Sequence, residues 1–410
     1  MRLRIALAAV VLLTTAAEAA VPAVHPLAPP LCASLSRSVE SLGNGPVFVT
    51  SYRPLETEHG LPLPLSTTAF VYDNALAAIA LIACGHTAEA TQIGRAIAEG
   101  IDRDRRFRDG RIRNAYRAGR VPDGPLLLPG WWDTSNQLWA EDAYQDGTAT
   151  GNVAWAALAL LNVHAATGEA WALDGAERLA SWMSSVAGGP GPAGFTGGLH
   201  GFDDAQVRVP WKSTEHHADI AAVAHWLHRL TGKQVYADME ATARGFLVRM
   251  FDQEAGGFRI GTLPDGSLSP IERIAMDAQV WPLIAVSDAP AGWRRALDLI
   301  DTRLAVPGGY DFNGDRDGLW AEGTAQAALV QKAMGRASPA DRLLDSLAQL
   351  QSSDGWLRAT NVPRLTTGLA IGPDSKGDDF FYYPRPHLGA TAWAVLAAEG
   401  WNPFTGGRVE

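Results

Sequence analysis

Cysteine is nearly absent from the 410-residue chain, which has only Cys32 and Cys84. So few exclude a cysteine-built metal centre. The pair either joins, as an oxidising compartment permits, or packs as two buried thiols. Positive charge is also short: 34 Lys and Arg stand against 44 Asp and Glu, for a formal net charge of -10. With no basic stripe, nucleic acid and anionic membranes are excluded as partners, and a neutral substrate fits better than a polyanion. Long apolar runs are missing beyond the opening MRLRIALAAVVLLTTAAEAAVP. That stretch has arginines first, an apolar run of about ten residues and a small-x-small ending at Ala17-Glu18-Ala19, and it reads as a secretory signal peptide over 1–19. No later run reaches the roughly 18 apolar residues a spanning helix needs. The mature product is expected in the periplasm or outside the cell. Linkers are lacking too, with no Ser- or Pro-rich tract, charge block or low-complexity segment. Residues 20–410 read as a single domain and, as an expectation, a monomer, and Gly/Pro clusters such as AGGPGPAGFTGG at 187–198 read as loops.

What is abundant is one pattern, an Ala-rich apolar helix with a polar or acidic start, repeated six times. The copies are TTAFVYDNALAAIALIA from Thr67, DGTATGNVAWAALALLNV from Asp146, STEHHADIAAVAHWLHRL from Ser213, ERIAMDAQVWPLIAV from Glu272, LWAEGTAQAALVQKAM from Leu319 and YYPRPHLGATAWAVLAA from Tyr382. They are apolar nearly all round, as helices packed on every side must be. Amphipathic helices alternate with them: LCASLSRSVESL from Leu31, TAEATQIGRAIAEGI from Thr87, EAWALDGAERLASWMSS from Glu169, KQVYADMEATARGFLVRMF from Lys233, GWRRALDLIDTRL from Gly292 and ADRLLDSLAQLQ from Ala340. Strand signals are scarce, and stretches such as GGFRIGTLPDGSLS at 256–269 read as short hairpins in loops. The predicted fold is all-α: an (α/α)6 toroid of six inner and six outer helices. Pro282 should kink the fourth inner helix or end it early.

Parallel inner helices would open all six N-termini on one end, where exposed N–H groups favour carboxylates by about 0.3 to 1 kcal/mol each. The polar starts then converge on one site. Its candidate acids are Asp73, Asp146, Glu215, Asp277 and Glu322. Each alone reads equally well as a helix cap, but six coincident clusters argue for a site. Trp131, Trp132, Trp139, Trp211 and Trp320 lie in the loops leading to these starts, suited to stacking on sugar rings. Tyr72, His216, His217, Tyr383, Arg385 and His387 add donors for hydroxyl groups. The His216-His217-Asp219 run lacks the spacing of a zinc site.

One stretch, GYDFNGDRDGLWAEG from Gly309, supports two readings. Counting from Asp311, oxygen ligands fall at positions one, three, five and seven (Asp311, Asn313, Asp315, Asp317), with Glu322 at twelve, the spacing of an EF-hand loop. Position six, where such a loop needs Gly, is Arg316. The stretch is therefore divided: an acidic rim loop that is a candidate structural calcium site, followed by Trp320 and Glu322 facing substrate. No other cofactor is expected.

The six alternating hairpins, the secretion signal and the YDNALA, TEHHAD and WAEGTAQ openings resemble the six-hairpin glycosidase superfamily, nearest to its bacterial endo-glucanase-like groups. The resemblance covers nearly the whole mature chain. It implies an acid and a base carboxyl at the barrel mouth, usually inverting the anomeric carbon, and so an exported glycoside hydrolase acting on a neutral glucan. Inverting chemistry places the two groups roughly 6.5 to 9.5 Å apart. Glu215, flanked by Thr214, His216 and His217, is the first choice for the acid, and Glu322 for the base. A polysaccharide lyase using Tyr383, His217 and Arg385, a terpene-cyclase-like toroid suggested by QLQSSDGW at 349–356, and a non-catalytic glycan-binding protein are the competing readings.

Overall fold

The computed structural model describes residues 24–53, 61–186 and 193–409. The expected signal peptide lies outside the described residues. Among the described residues, thirteen α-helices run in the order α1 (Ala28–Glu40), α2 (Val71–Ala83), α3 (Thr87–Asp102), α4 (Ala143–Asp146), α5 (Thr150–Thr167), α6 (Ala170–Ser185), α7 (Thr214–Thr231), α8 (Gln234–Met250), α9 (Met276–Ala285), α10 (Arg295–Arg303), α11 (Ala321–Ala333), α12 (Ala337–Ala348) and α13 (Leu388–Glu399). Helices α2, α5, α7, α9, α11 and α13 each pack on the next, and α13 closes back on α2. They form the inner ring of an (α/α)6 toroid, with α1, α3, α6, α8, α10 and α12 outside it.

The inner helices bury almost every residue, because alanines on all faces let neighbouring axes approach closely. Outer helices bury one stripe: in α1, Leu31, Leu35 and Val39, four residues apart, are all sealed inside. Each such side chain contributes about 1.5 to 3 kcal/mol. A disulfide between Cys32 and Cys84 ties α1 to the end of α2, so the two cysteines pair. Pro282 lies inside α9, which stops three residues later and is, at 10 residues, the shortest inner helix.

Short antiparallel ladders occupy the loops, and some of them repeat with the helices. The residue preceding each inner helix is extended and bridges to another loop: Phe70 to Ala115, Ala149 to Gly198, Ser213 to Gly261, Ala275 to Asn313, Trp320 to Thr360, and His387 to Tyr52. These six bridges form a belt around one end of the toroid. Its tightness shows at Gly261, φ +148°, where an added Cβ would lie 1.9 Å from the Lys212 carbonyl oxygen. The belt fixes where each inner helix begins, and hence which residue of its first turn faces the axis.

Candidate active site

With the starts fixed, the inner helices can be read in register. The second residues are Tyr72, Gly151, Glu215, Asp277, Glu322 and Gly389, and the sixth are Leu76, Trp155, Asp219, Trp281, Gln326 and Trp393. Positions two and six lie about one turn apart on one helix face. The sixth-residue layer does face the axis. Trp155, Trp281 and Trp393 come from alternate helices, yet their rings meet at centroid distances of 5.3, 5.6 and 6.0 Å. With Phe404 they plug the barrel. The second-residue layer lies above this aromatic floor.

The acidic side of the mouth lies on α7 and α9. Glu215, on α7, keeps 31% of its side chain exposed. Burial of its carboxyl pushes the pKa up to about 7, against a lowering contact from Ser213. Asp277 on α9 is raised well above the usual carboxylate range by burial, then by the charges of Glu215 and Glu322. One turn below Glu215, Asp219 is fully buried with neither carboxyl oxygen hydrogen-bonded, and is raised well above its ordinary value by burial and by Glu215 and Asp277. These three carboxyls cannot all ionise together in so little water.

The other half holds charge. His387 lies between two acids, with Nε2 3.4 Å from Asp73 Oδ2 and Nδ1 3.2 Å from Glu322 Oε1. Burial disfavours the imidazolium, but the two carboxylates outweigh it and hold the pKa at about 10. Nδ1 also lies 3.2 Å from the Ala390 amide and cannot serve both groups. Between two anions the ring carries a proton, and its contacts with both carboxylates are ion pairs. Burial raises the Glu322 carboxyl, and the bonds from His387 and Tyr72 oppose that rise. The Trp393 indole donates to the Tyr72 hydroxyl at 2.8 Å, and Tyr72 donates to Glu322 Oε2 at 3.2 Å. Gly389 makes room for this convergence: a Cβ there would lie 2.7 Å from Asp73 Oδ1 and 3.1 Å from Glu322 Oε1.

Four sequence-predicted residues, Asp146, Trp320, His217 and His387, have other places. Asp146 ends α4, outside the ring; its carboxylate pairs with Arg105 at 3.4 Å and its carbonyl accepts from Arg113 at 3.0 Å. Burial first, then Glu141, pushes its pKa up to about 7, but its neighbours are Arg105 and Arg113 rather than the mouth acids. Trp320 is 1% exposed, packed on Phe312 and Tyr382, so it does not offer a stacking face. His217 is a strut: Nδ1 donates to the Ser213 carbonyl at 2.6 Å, Nε2 accepts from the Phe195 amide at 2.9 Å, and the ring stacks on Phe246. Both nitrogens being occupied, it has none left for a substrate. Arg385 is buried, its carbonyl accepting from Ala359 in the belt. His387 is sealed beneath the mouth, holding carboxylates instead of hydroxyl groups.

The remaining aromatic candidates lie in the loops. Trp132 and Trp139 are cross-strand partners in a hairpin and are 52% and 44% exposed, with Trp131 half-buried beside them. Trp211 packs against His216 at 5.7 Å, and Tyr383 is half-buried at 6.4 Å from Tyr52. Surface grooves of about 470 and 400 Å3 open elsewhere, one against α1 and one between α10 and α12, and neither includes a mouth carboxylate. Trp155, Asp219, Trp281, Gln326 and Trp393 were not among the predicted site residues. Their signal was the common sixth position, which becomes visible once the helix starts are aligned.

Glu322 also settles one reading of the Gly309 stretch. It faces Tyr72 and His387 inside the toroid, so it is not the twelfth-position ligand of an EF-hand loop.

The fold and the mouth together define a closed (α/α)6 barrel with a carboxyl-lined end. No protein-family model matches the chain, and no curated protein matches it. Solved structures do. A wild-type glycosidase shares 15% identity with a TM-score of 0.59, covering 91% of this chain and 95% of its own. A cellobiose 2-epimerase from Bacillus thermoamylovorans B4167 shares 11% identity with a TM-score of 0.60, covering 90% and 97%. An alpha-amylase from Clostridium perfringens shares 10% identity with a TM-score of 0.57, covering 90% and 95%. At these identities the likeness establishes the common toroid.

Proposed function

We propose that this chain is a glycoside hydrolase that cleaves a neutral poly- or oligosaccharide, a glucan first of all, by carboxylate acid–base catalysis with inversion. The observation that carries the reading is the second-residue layer. It sets carboxyls on three successive inner helices, with the proton-holding Glu215 at one end and Glu322, paired to an imidazolium, at the other. Glu215 gives its proton to the departing glycosidic oxygen. Glu322, kept anionic by His387, takes a proton from the attacking water. Asp277, between them, donates to a substrate hydroxyl and is the rival for the acid role, and Asp73 holds His387 in place. Tyr72, Trp211 and His216 line the near subsite, and Trp132 and Trp139 give an outer platform for a longer chain. Glycosidases of the same toroid, one solved in complex with glucose, support a carbohydrate substrate. The reading has the protein acting as a one-domain monomer outside the cytoplasm, and the disulfide supports an oxidising compartment.

A sugar epimerase is the second reading, favoured by His216. Burial lowers its pKa to about 4, so the ring is neutral, and its Nδ1 has no hydrogen-bond partner. Such a ring could move a proton beside a sugar carbonyl. One assay separates the two: incubation with a panel of β-glucans and with cellobiose, followed by reducing-end measurement and product chromatography, with Glu215→Gln and Glu322→Gln run beside the parent. Hydrolysis predicts new reducing ends and shorter products that both variants abolish. An isomeric disaccharide without new reducing ends, or unchanged turnover in both variants, would sink the proposal.

A further inference from the structure

The acidic loop ahead of α11 has a feature that the barrel chemistry does not use. Asp311, Asp315 and Asp317 each bring a carboxylate oxygen within 4.8 Å of the other two. That is the widest spacing that oxygens at about 2.4 Å from one shared calcium ion can have. Asp311 is 0% exposed, and its Oδ2 has no hydrogen-bond partner. The charges acting on it, those of Asp317 and Asp315, have its own sign. Its Oδ1 accepts from the Phe312 amide at 2.6 Å, but a buried carboxylate with one bare oxygen facing two more is costly unless a cation joins them.

Hydrogen bonds within the loop and from Thr366 hold it in that shape. Asn313 Oδ1 accepts from the Asp315 amide at 2.8 Å, Asp315 Oδ1 from the Asp317 amide at 3.3 Å, and Asp317 Oδ2 from the Thr366 amide at 3.0 Å. Three of the four expected ligands therefore converge, and Asn313 shapes the turn instead. Arg316 adopts φ +57°, the left-handed backbone that EF-type loops assign to glycine at this position, so its side chain did not forbid the turn.

We propose that Asp311, Asp315 and Asp317 bind one calcium ion, with backbone carbonyls and water completing an all-oxygen shell. The ion would lock a joint of the belt. Asn313 bridges to Ala275 at the start of α9, the Phe312 carbonyl accepts from Met276 at 2.9 Å, and the Tyr310 carbonyl accepts from Trp320 at 2.8 Å at the start of α11. Calcium would thus hold Asp277 and Glu322 in register from outside the barrel. This does not depend on which sugar reaction the mouth performs.

The test is calorimetric titration of the chelator-treated mature protein with CaCl2, paired with thermal melting. A partly exposed three-carboxylate site predicts a Kd between about 10⁻⁵ and 10⁻³ M, and a Tm rise of about 3 °C at 10 mM CaCl2. Asp315 and Asp317 are exposed, so the Asp315→Asn/Asp317→Asn double variant keeps its fold and should bind at least tenfold more weakly. Absence of both heat and Tm rise in the parent, undiminished binding by the double variant, or an equal response to MgCl2 would overturn the assignment.

Discussion

Replacing Glu215 by Gln removes the proton that the proposed acid donates while nearly preserving side-chain volume. A general acid supplies about 10² to 10⁴ in rate, which is roughly 2.7 to 5.4 kcal/mol of transition-state stabilisation. The parent should therefore exceed the variant by that factor on a natural glucan at pH 6. With the Glu215 carboxyl near 7, the acid form is lost as pH rises, so parent kcat/KM should fall tenfold per pH unit above about 7. The variant should lack that alkaline limb. An aryl glycoside with an acidic phenol needs little protonation of its leaving oxygen, so the variant should lose much less on it. Stability gives an independent sign. The folded pKa lies above the ordinary 4.5, so the protein is most stabilised with Glu215 protonated, and that contribution is lost as pH climbs from 4.5 through 7. Its full size would be about 3 kcal/mol, and less here because nearly a third of the side chain is exposed. The variant should thus be no less stable than the parent at pH 8. A variant with parental turnover, or one that keeps an alkaline limb near pH 7, would refute the assignment of Glu215 and move the acid role to Asp277.

Gly389→Ala places a methyl group 2.7 Å from Asp73 Oδ1, so it should cost about 1 to 3 kcal/mol in urea unfolding and reduce activity by displacing Glu322. Breaking the Cys32–Cys84 link with Ser at both positions frees a loop of sequence separation 52, worth about 4 kcal/mol in the chain-entropy view, read as a lowered guanidinium midpoint. His216 and His217, held neutral by burial at about 4 and about 3, contribute stability that is complete above pH 6.5 and lost as pH falls toward 3. The urea midpoint should fall across that range, and less so in His217→Gln, although Glu215 pulls the other way between pH 7 and 4.5. Trp132→Ala should raise KM on long oligosaccharides about 2- to 12-fold, the equivalent of one aromatic contact, and leave disaccharides unaffected.

The helices were legible because their signals are local. Ala-rich buried segments and amphipathic partners alternate along the chain, and every predicted helix is present. The acidic starts were legible too, since Glu215, Asp277 and Glu322 occupy the same step of the repeat. What misled was the assumption that a polar residue near a helix start faces the axis. Asp146 stands before its inner helix rather than on it, and the exposed Arg105 and the buried Arg113 of another loop capture it. The TEHHAD opening put Glu215, His216 and His217 all at the site, although successive residues on a helix point about 100° apart. Trp320, in the belt, packs inward where a loop tryptophan was expected to be open.

By itself, then, the sequence determined the all-α toroid, the alternation of layers and the end of the barrel where carboxyls gather, because periodicity and burial are properties of neighbouring residues. Only the tertiary structure decided which of those polar groups share a site. The rotation of each inner helix is set by a belt bridge to a loop distant in sequence. His387 reaches Asp73 across more than three hundred residues, and that contact makes one histidine a buried cation while His217, in a different helix, becomes a strut.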